Sequence, residues 1–232
     1  MYLLTETASP FALERWAAFF ANFGQFAKGF FYTLGISIGA LIVALLLGLI
    51  FGAMSSTHNK VLRGISRVYV EIFQNTPLLV QFVVAFYGIS ILTDGHVMIP
   101  ISLTAILCVG VYTGAYISEI IRTGIEAVPK GQTEAALSQG FTYADTMRII
   151  ILPQAVRTIL PPLTNQVVNL IKNTSTVAII SGADIMFTAK AWAYDTTNYV
   201  PAFAGAAFLY FIMCFPLATW ARRKEEENKK AY

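Results

Sequence analysis

Four polar residues recur inside an otherwise apolar run. Asn165, Asn169, Lys172 and Thr176 are separated by four, three and four positions, which places them on one face of a helix. Their neighbours Val167, Val168, Leu170 and Ile171 are apolar. A lysine near the middle of a membrane span costs about 2.5–3.5 kcal/mol to insert, so Lys172 has to face a polar cavity or pair with an acid. Two roles stand open for it. It either holds helices together through a buried carboxylate such as Glu119, or it offers a cation to the carboxylate of a ligand.

A second group lies in Glu71-Ile72-Phe73-Gln74-Asn75-Thr76-Pro77. Proline has no N–H to donate and disfavours helix at the residue before it, so a break or kink is expected near Thr76. Irregular backbone at membrane depth is tolerated only where protein or a water-filled cavity satisfies its polar groups. Asn75 and Thr76 are therefore candidates for lining a cavity, or for capping the kink itself.

A third group occupies the long polar segment from about Arg122 to Arg157, which is too polar to span and too mixed to be disordered. Gln132 to Gln139 is rich in helix formers, and Gly140 is a natural stop. Thr142-Tyr143-Ala144-Asp145 restarts the chain in a turn like a capping box. A second short helix is expected through Met147 to Leu152, ending at Pro153, before Ala155 to Leu160 leads into the next span. Within this hairpin Glu134, Ala135 and Ala136 precede Gly140, and Ile150, Leu152 and Pro153 follow it. Adjacent alanines give a helix a low face that can enter a groove, and Glu134 offers an acceptor to a basic partner. Without a partner the same segment is a solvated loop hairpin.

The elements that position these residues follow from the apolar runs. The chain has 232 residues, 56% hydrophobic and 12% charged, against roughly a quarter charged in a soluble domain. Phe30 to Met54, Val97 to Ser118 and Val200 to Ala221 carry no charge, and about 20 apolar residues of helix cross a bilayer core. Ile72 to Leu92 and Ile159 to Ile180 are equally long but hold polar residues and prolines, and are read as interrupted spans. The sequence thus predicts a single all-α integral membrane domain over residues 1–232, with five spans at about 30–54, 72–92, 97–121, 159–180 and 200–221 and a hairpin at 126–153.

Basic residues orient it. Lys60, Arg63 and Arg67, then Arg122, Lys130, Arg148 and Arg157, then Arg222, Arg223, Lys224, Lys229 and Lys230 fall in alternate segments, as expected for an N-terminus outside and a C-terminus inside. Met1 to Phe26 carries Glu6 and Glu14 and does not read as a cleavable leader; Phe11 to Phe26 suits an amphipathic helix at the interface. Gly35 and Gly39, Gly48 and Gly52, and Gly110 and Gly114 form four-residue pairs that let helices approach closely, and read as packing within one bundle.

Several chemistries find no footing. No phosphate-binding Gly-rich loop with Lys-Ser/Thr, no His-Glu-x-x-His and no Gly-x-Ser-x-Gly occurs. Cys108 and Cys214 sit inside predicted spans without metal-ligand spacing, and His58 and His96 fall in predicted loops. A secondary transporter or channel driven by an ion gradient is the rival from another class, but it usually needs internal repeats and midplane ion sites that are not visible.

The hairpin at Glu134 to Pro153 resembles the EAA loop of bacterial ABC importer permeases. Glu71 to Gln81 (EIFQNTPLLVQ), Ser118 to Gly124 (SEIIRTG) and Asn169 to Ser175 (NLIKNTS) resemble the polar amino acid permease family, with its histidine, arginine, glutamine and glutamate/aspartate systems. The resemblance runs from about Phe26 to Ala221 and is nearest to glutamate/aspartate permeases; Gln74 departs from it, since relatives commonly have Arg there. It implies the type I importer fold and a non-catalytic permease in a bacterial cytoplasmic membrane. It also implies two separate ABC ATPase subunits binding ATP and Mg, with no cofactor on this chain. A second permease, identical or homologous, and an extracytoplasmic binding protein complete the implied partners; no nucleic acid is among them. Glu134, Ala135, Ala136, Gly140, Ile150, Leu152 and Pro153 would couple to the ATPase, and Lys172, Asn165, Asn169, Thr176, Asn75 and Thr76 would line the substrate path.

Overall fold

The computed structural model describes residues 9–230, and every regular element among them is helical. Glu6 lies outside the described residues. A short helix α1 (Leu13–Ala21) leads at Asn22 into α2 (Phe23–Ser55), a single helix that begins earlier than the expected Phe30 because nothing after Asn22 interrupts it. α3 (Lys60–Gln74) starts at Asn59, whose side chain accepts from the N–H groups of Val61 at 2.9 Å and Leu62 at 3.3 Å. α4 (Leu78–Val83) passes through a π-wound turn, Val84–Gly88, into α5 (Ile89–Leu92).

The break between α3 and α4 falls at Asn75, Thr76 and Pro77, as the proline predicts, but it is no mild kink. The two halves are bent by 97°. The expected span at 72–92 therefore begins at Leu78, and residues 72–74 belong to a helix pointing elsewhere.

α6 (Ile101–Glu126) descends to α7 (Lys130–Ser138). The next helix is not the short one expected. α8 (Tyr143–Asp145) runs on through a π-wound segment, Thr146–Ile151, into α9 (Leu152–Asn173). Pro153 stands at the start of α9 and does not end the helix. The wider turn before it has already given up the i−4 pattern with which its ring and missing N–H conflict. A 3₁₀ segment, Thr174–Ile180, extends α9, and α10 (Ile185–Thr196) and α11 (Tyr199–Lys230) close the chain.

Among the described residues, three helices are long and apolar enough to cross a membrane: Phe23–Ser55, Ile101–Glu126 and Tyr199–Lys224; counting the bent pair as one span makes four. Each of the three uninterrupted runs lies in one continuous helix, except that residues 97–100 precede α6, so the span expected from 97 begins at Ile101. The expected span at 159–180 is helical throughout but too polar to join them, since Thr164, Asn165, Gln166, Asn169 and Lys172 fall within it.

α2 and α6 run side by side in the same direction, and the glycines explain how. A Cβ at Gly110 would lie 2.7 Å from Val43, one at Gly39 2.8 Å from Ile106, and one at Gly52 2.8 Å from Ile121. Gly48 meets Ile117 in the same way, whereas Gly35 faces open space. One core joins this pair to α4 and α9 through Ala40, Ala44, Phe82, Val109 and Leu170; a second joins α1, the start of α2, α10 and α11 through Phe19, Phe26, Trp192 and Ala202.

A candidate coupling hairpin, a polar stripe and a charged cleft

The hairpin is built by two local devices. Gly140 adopts φ +88°, the left-handed conformation that ends α7 without the clash a Cβ would bring. Thr142 Oγ1 then accepts from the Asp145 N–H at 3.2 Å and donates to Asp145 Oδ2 at 2.6 Å, starting the following helix. Glu134, Ala135, Gly140, Leu152 and Pro153 are exposed, Ile150 is half-buried, and Ala136 is buried against the π-wound segment. Leu137, Phe141, Ile149 and Leu152 leave apolar surface beside Glu134, which is the make-up of a face that another protein covers. At the turn after α2, His58 stands edge-on to Tyr143 with ring centroids 5.3 Å apart.

On α9, Asn165 and Lys172 are exposed and Asn169 is half-buried, its amide donating to Gln166 at 3.5 Å. Thr176 departs from the stripe. The 3₁₀ segment advances about 20° more per residue than an α-helix, so three residues turn Thr176 by about 60°. Lys172 lines a groove of about 290 Å³ with Ser175, Met186, Phe203 and Tyr210. It forms no ion pair among the described residues, and Glu119 is taken: the Arg122 guanidinium grips its carboxylate in a forked pair. The pairing of Lys172 with Glu119 is thereby overturned. An arginine three residues away on the same helix reaches Glu119 without any tertiary contact.

At the break, Asn75 Nδ2 donates to the Glu71 carbonyl at 2.8 Å and to Glu71 Oε2 at 3.0 Å, while Thr76 Oγ1 donates to the Ile72 carbonyl at 2.8 Å. Both residues cap the end of α3. Gln81 completes the repair, since its amide donates to the Phe73 and Thr76 carbonyls at 3.1 and 3.0 Å. Sequence reading missed Gln81, although a glutamine four positions beyond a helix-breaking proline is placed to reach back. α4 packs on the 3₁₀ segment that follows Lys172, so the two irregular stretches of the bundle meet.

One cavity is not announced by the motifs. A cleft of about 860 Å³ lies between α3 and the end of α6. Lys60, Arg63, Arg67, Glu71 and Gln74 form one wall at helical spacing, leading to Asn75; Glu119, Arg122 and Glu126 form the other. Arg122 donates to Glu119 Oε2 at 2.9 Å and to Glu126 Oε2 at 2.6 Å, and Arg67 stands 3.7 Å from Glu71. The signal was the three-four-four-three spacing along α3.

Residues 44–225 match the family described as binding-protein-dependent transport system inner membrane component. The chain belongs to this permease family. It is 37% identical to the probable glutamine ABC transporter permease protein GlnM of Bacillus subtilis, over 92% of this chain and 97% of that one. It is 33% identical to the glutamate/aspartate import permease protein GltJ of Escherichia coli K12, over 82% and 85%. Among solved structures, a crystal structure of an amino acid ABC transporter with histidines is similar at a TM-score of 0.84 and 31% identity, covering 91% of this chain and 98% of that one. An inward-facing MetNI methionine ABC transporter reaches 0.68 at 17% identity, over 88% and 98%, a likeness of fold. The permease is an all-helical membrane protein of the type I importer fold.

Proposed function

We propose that the permease forms half of an ATP-driven import path for a polar amino acid, glutamate/aspartate or glutamine, beside an identical or homologous chain. Two ABC ATPase subunits bind ATP and Mg and supply the hydrolysis; this chain supplies none. An extracytoplasmic binding protein delivers the substrate, and the hairpin end of the bundle faces the cytoplasm of a bacterial cell. The observation that carries the reading is the exposed hairpin, closed by Gly140 at φ +88° and continued without interruption into α9. The same helix that leaves the hairpin at Tyr143 bears Asn165, Asn169 and Lys172. A push on the hairpin therefore tilts the polar stripe directly. Two arrangements of one rigid element, biased by nucleotide at its end, are what alternate access needs. Lys172 offers a cation to the carboxylate that every amino acid carries, and Asn165 and Asn169 offer uncharged polar groups. Asn75 and Thr76 border the path where α3 ends.

The test is gentle extraction of the tagged permease from its native membrane, with co-purifying proteins identified by mass spectrometry. Wild type is expected to bring an ABC ATPase, and a Glu134→Arg, Gly140→Asp variant to lose it. A folded wild type that never brings an ATPase sinks the proposal and favours transport driven by an ion gradient.

A further inference from the structure

The charged cleft between α3 and α6 has a charge pattern that local pairing does not exhaust. Its walls carry four cations, Lys60, Arg63, Arg67 and Arg122, and three carboxylates, Glu71, Glu119 and Glu126. Arg67 and Glu71 answer each other. Arg122 is shared by Glu119 and Glu126, which leaves one negative charge in surplus on the α6 wall. Lys60 and Arg63 have no ion-pair partner among the described residues. The cleft is thus left with two spare cations on one wall and one spare anion on the other.

We infer that this cleft is a release-side site for an α-amino acid, and that its spare charges favour one with two carboxylates and one ammonium, an acidic amino acid, over its neutral amide. The inference rests on the amino acid permease reading and narrows its substrate class. Glutamate matches the pattern group for group. Its two carboxylates meet Lys60 and Arg63, and its ammonium meets the surplus at Glu119 and Glu126. Glutamine leaves one cation unanswered. The cleft is roomy, and it leads from Asn75, beside the break in the chain, past Gln74 and Glu71 to Ser55 and Lys60 at the bundle end that carries the hairpin. On the α3 wall the charged side chains of Arg67 and Glu71 are solvated by 80% and 59%, while Arg122 and Glu119 on the α6 wall are 30% and 38% exposed. Exposed charge pairs are weak and screened by salt, which suits a site that has to let its ligand go.

The test uses the whole transporter, permease with its ATPase and binding protein, in vesicles whose lumen faces the hairpin and holds ATP. Initial uptake of labelled glutamate and of labelled glutamine is measured with increasing unlabelled glutamate or glutamine in the lumen. In wild type, lumenal glutamate is expected to slow uptake at a concentration about threefold to tenfold lower than lumenal glutamine. A Lys60→Gln, Arg63→Gln variant, with assembly checked by co-purification of the ATPase, is expected to lose that difference; Lys60→Arg, Arg63→Lys keeps the charges and is expected to retain it. Equal effects of the two lumenal amino acids on wild type overturn the inference, as does a difference that survives in the Gln variant. A wild-type complex that takes up neither amino acid overturns the permease reading, and this inference with it.

Discussion

The Tyr69 hydroxyl donates to the Val111 carbonyl at 2.7 Å. The contact exists because Gly114 has no side chain; a Cβ there would lie 2.8 Å from the hydroxyl. Tyr69 also stacks on Phe51 at 4.1 Å between centroids, and Ser66 Oγ donates to the Phe51 carbonyl at 2.7 Å, so α3 is fastened to both α2 and α6. That fastening holds the cleft wall in place. Tyr69→Phe is expected to cost about 1 kcal/mol, the net worth of one hydrogen bond. Gly114→Leu overpacks the joint and costs more, about 1–3 kcal/mol. Thermal unfolding of the detergent-solubilised protein checks the order; a Gly114→Leu midpoint equal to wild type refutes the account.

Asp184 is fully buried at the start of α10, where Oδ2 accepts from the Met186 N–H at 2.9 Å and Oδ1 from the Phe187 N–H at 3.4 Å. Thr33 Oγ1 takes the Ile185 N–H at 3.1 Å, tying this helix start to α2. Asp184→Ala removes the cap and is expected to cost about 1–2 kcal/mol, with Asp184→Asn milder because an amide oxygen still accepts. The same thermal measurement decides it, and an Ala variant as stable as the Asn variant contradicts the capping role.

Gly140→Ala places a Cβ in a left-handed conformation at a cost of about 1–2 kcal/mol, confined to the hairpin. The hairpin rather than the bundle should yield. Association with the ATPase is expected to weaken while helix content by circular dichroism stays at the wild-type level. Ser138→Ala, which loses only a hydrogen bond to the Glu134 carbonyl, serves as the neighbouring control. Undiminished ATPase association in Gly140→Ala counts against the hairpin's role.

Lys172→Met keeps the length of the side chain and removes its charge. Amino acid uptake is expected to fall at least about tenfold, with the complex still assembled, and Lys172→Arg to retain part of the activity. Wild-type uptake by the Met variant removes Lys172 from the path.

Much of this molecule is legible residue by residue. The uncharged runs become α2, α6 and α11, the break comes at Pro77, and Gly140 and Thr142 shape the hairpin, because each is settled by local apolarity, a missing N–H, a missing Cβ or a side-chain cap. The glycine pairs were also legible as packing, though not their partners, since Gly48 finds Ile117 while Gly35 finds nothing. Glu119 shows the converse: its partner is Arg122, three residues on along its own helix, and not Lys172 on another.

Backbone chemistry and apolar length, which act over a few neighbouring residues, are what the sequence by itself determined: an all-helical membrane permease, a broken span and a helical hairpin. The tertiary structure alone decided the 97° bend, the run of helix through Pro153, and the cleft whose walls come from α3 and α6. Those depend on how far each helix is rotated and which neighbour it rests on. Only the summed packing of the whole bundle sets that.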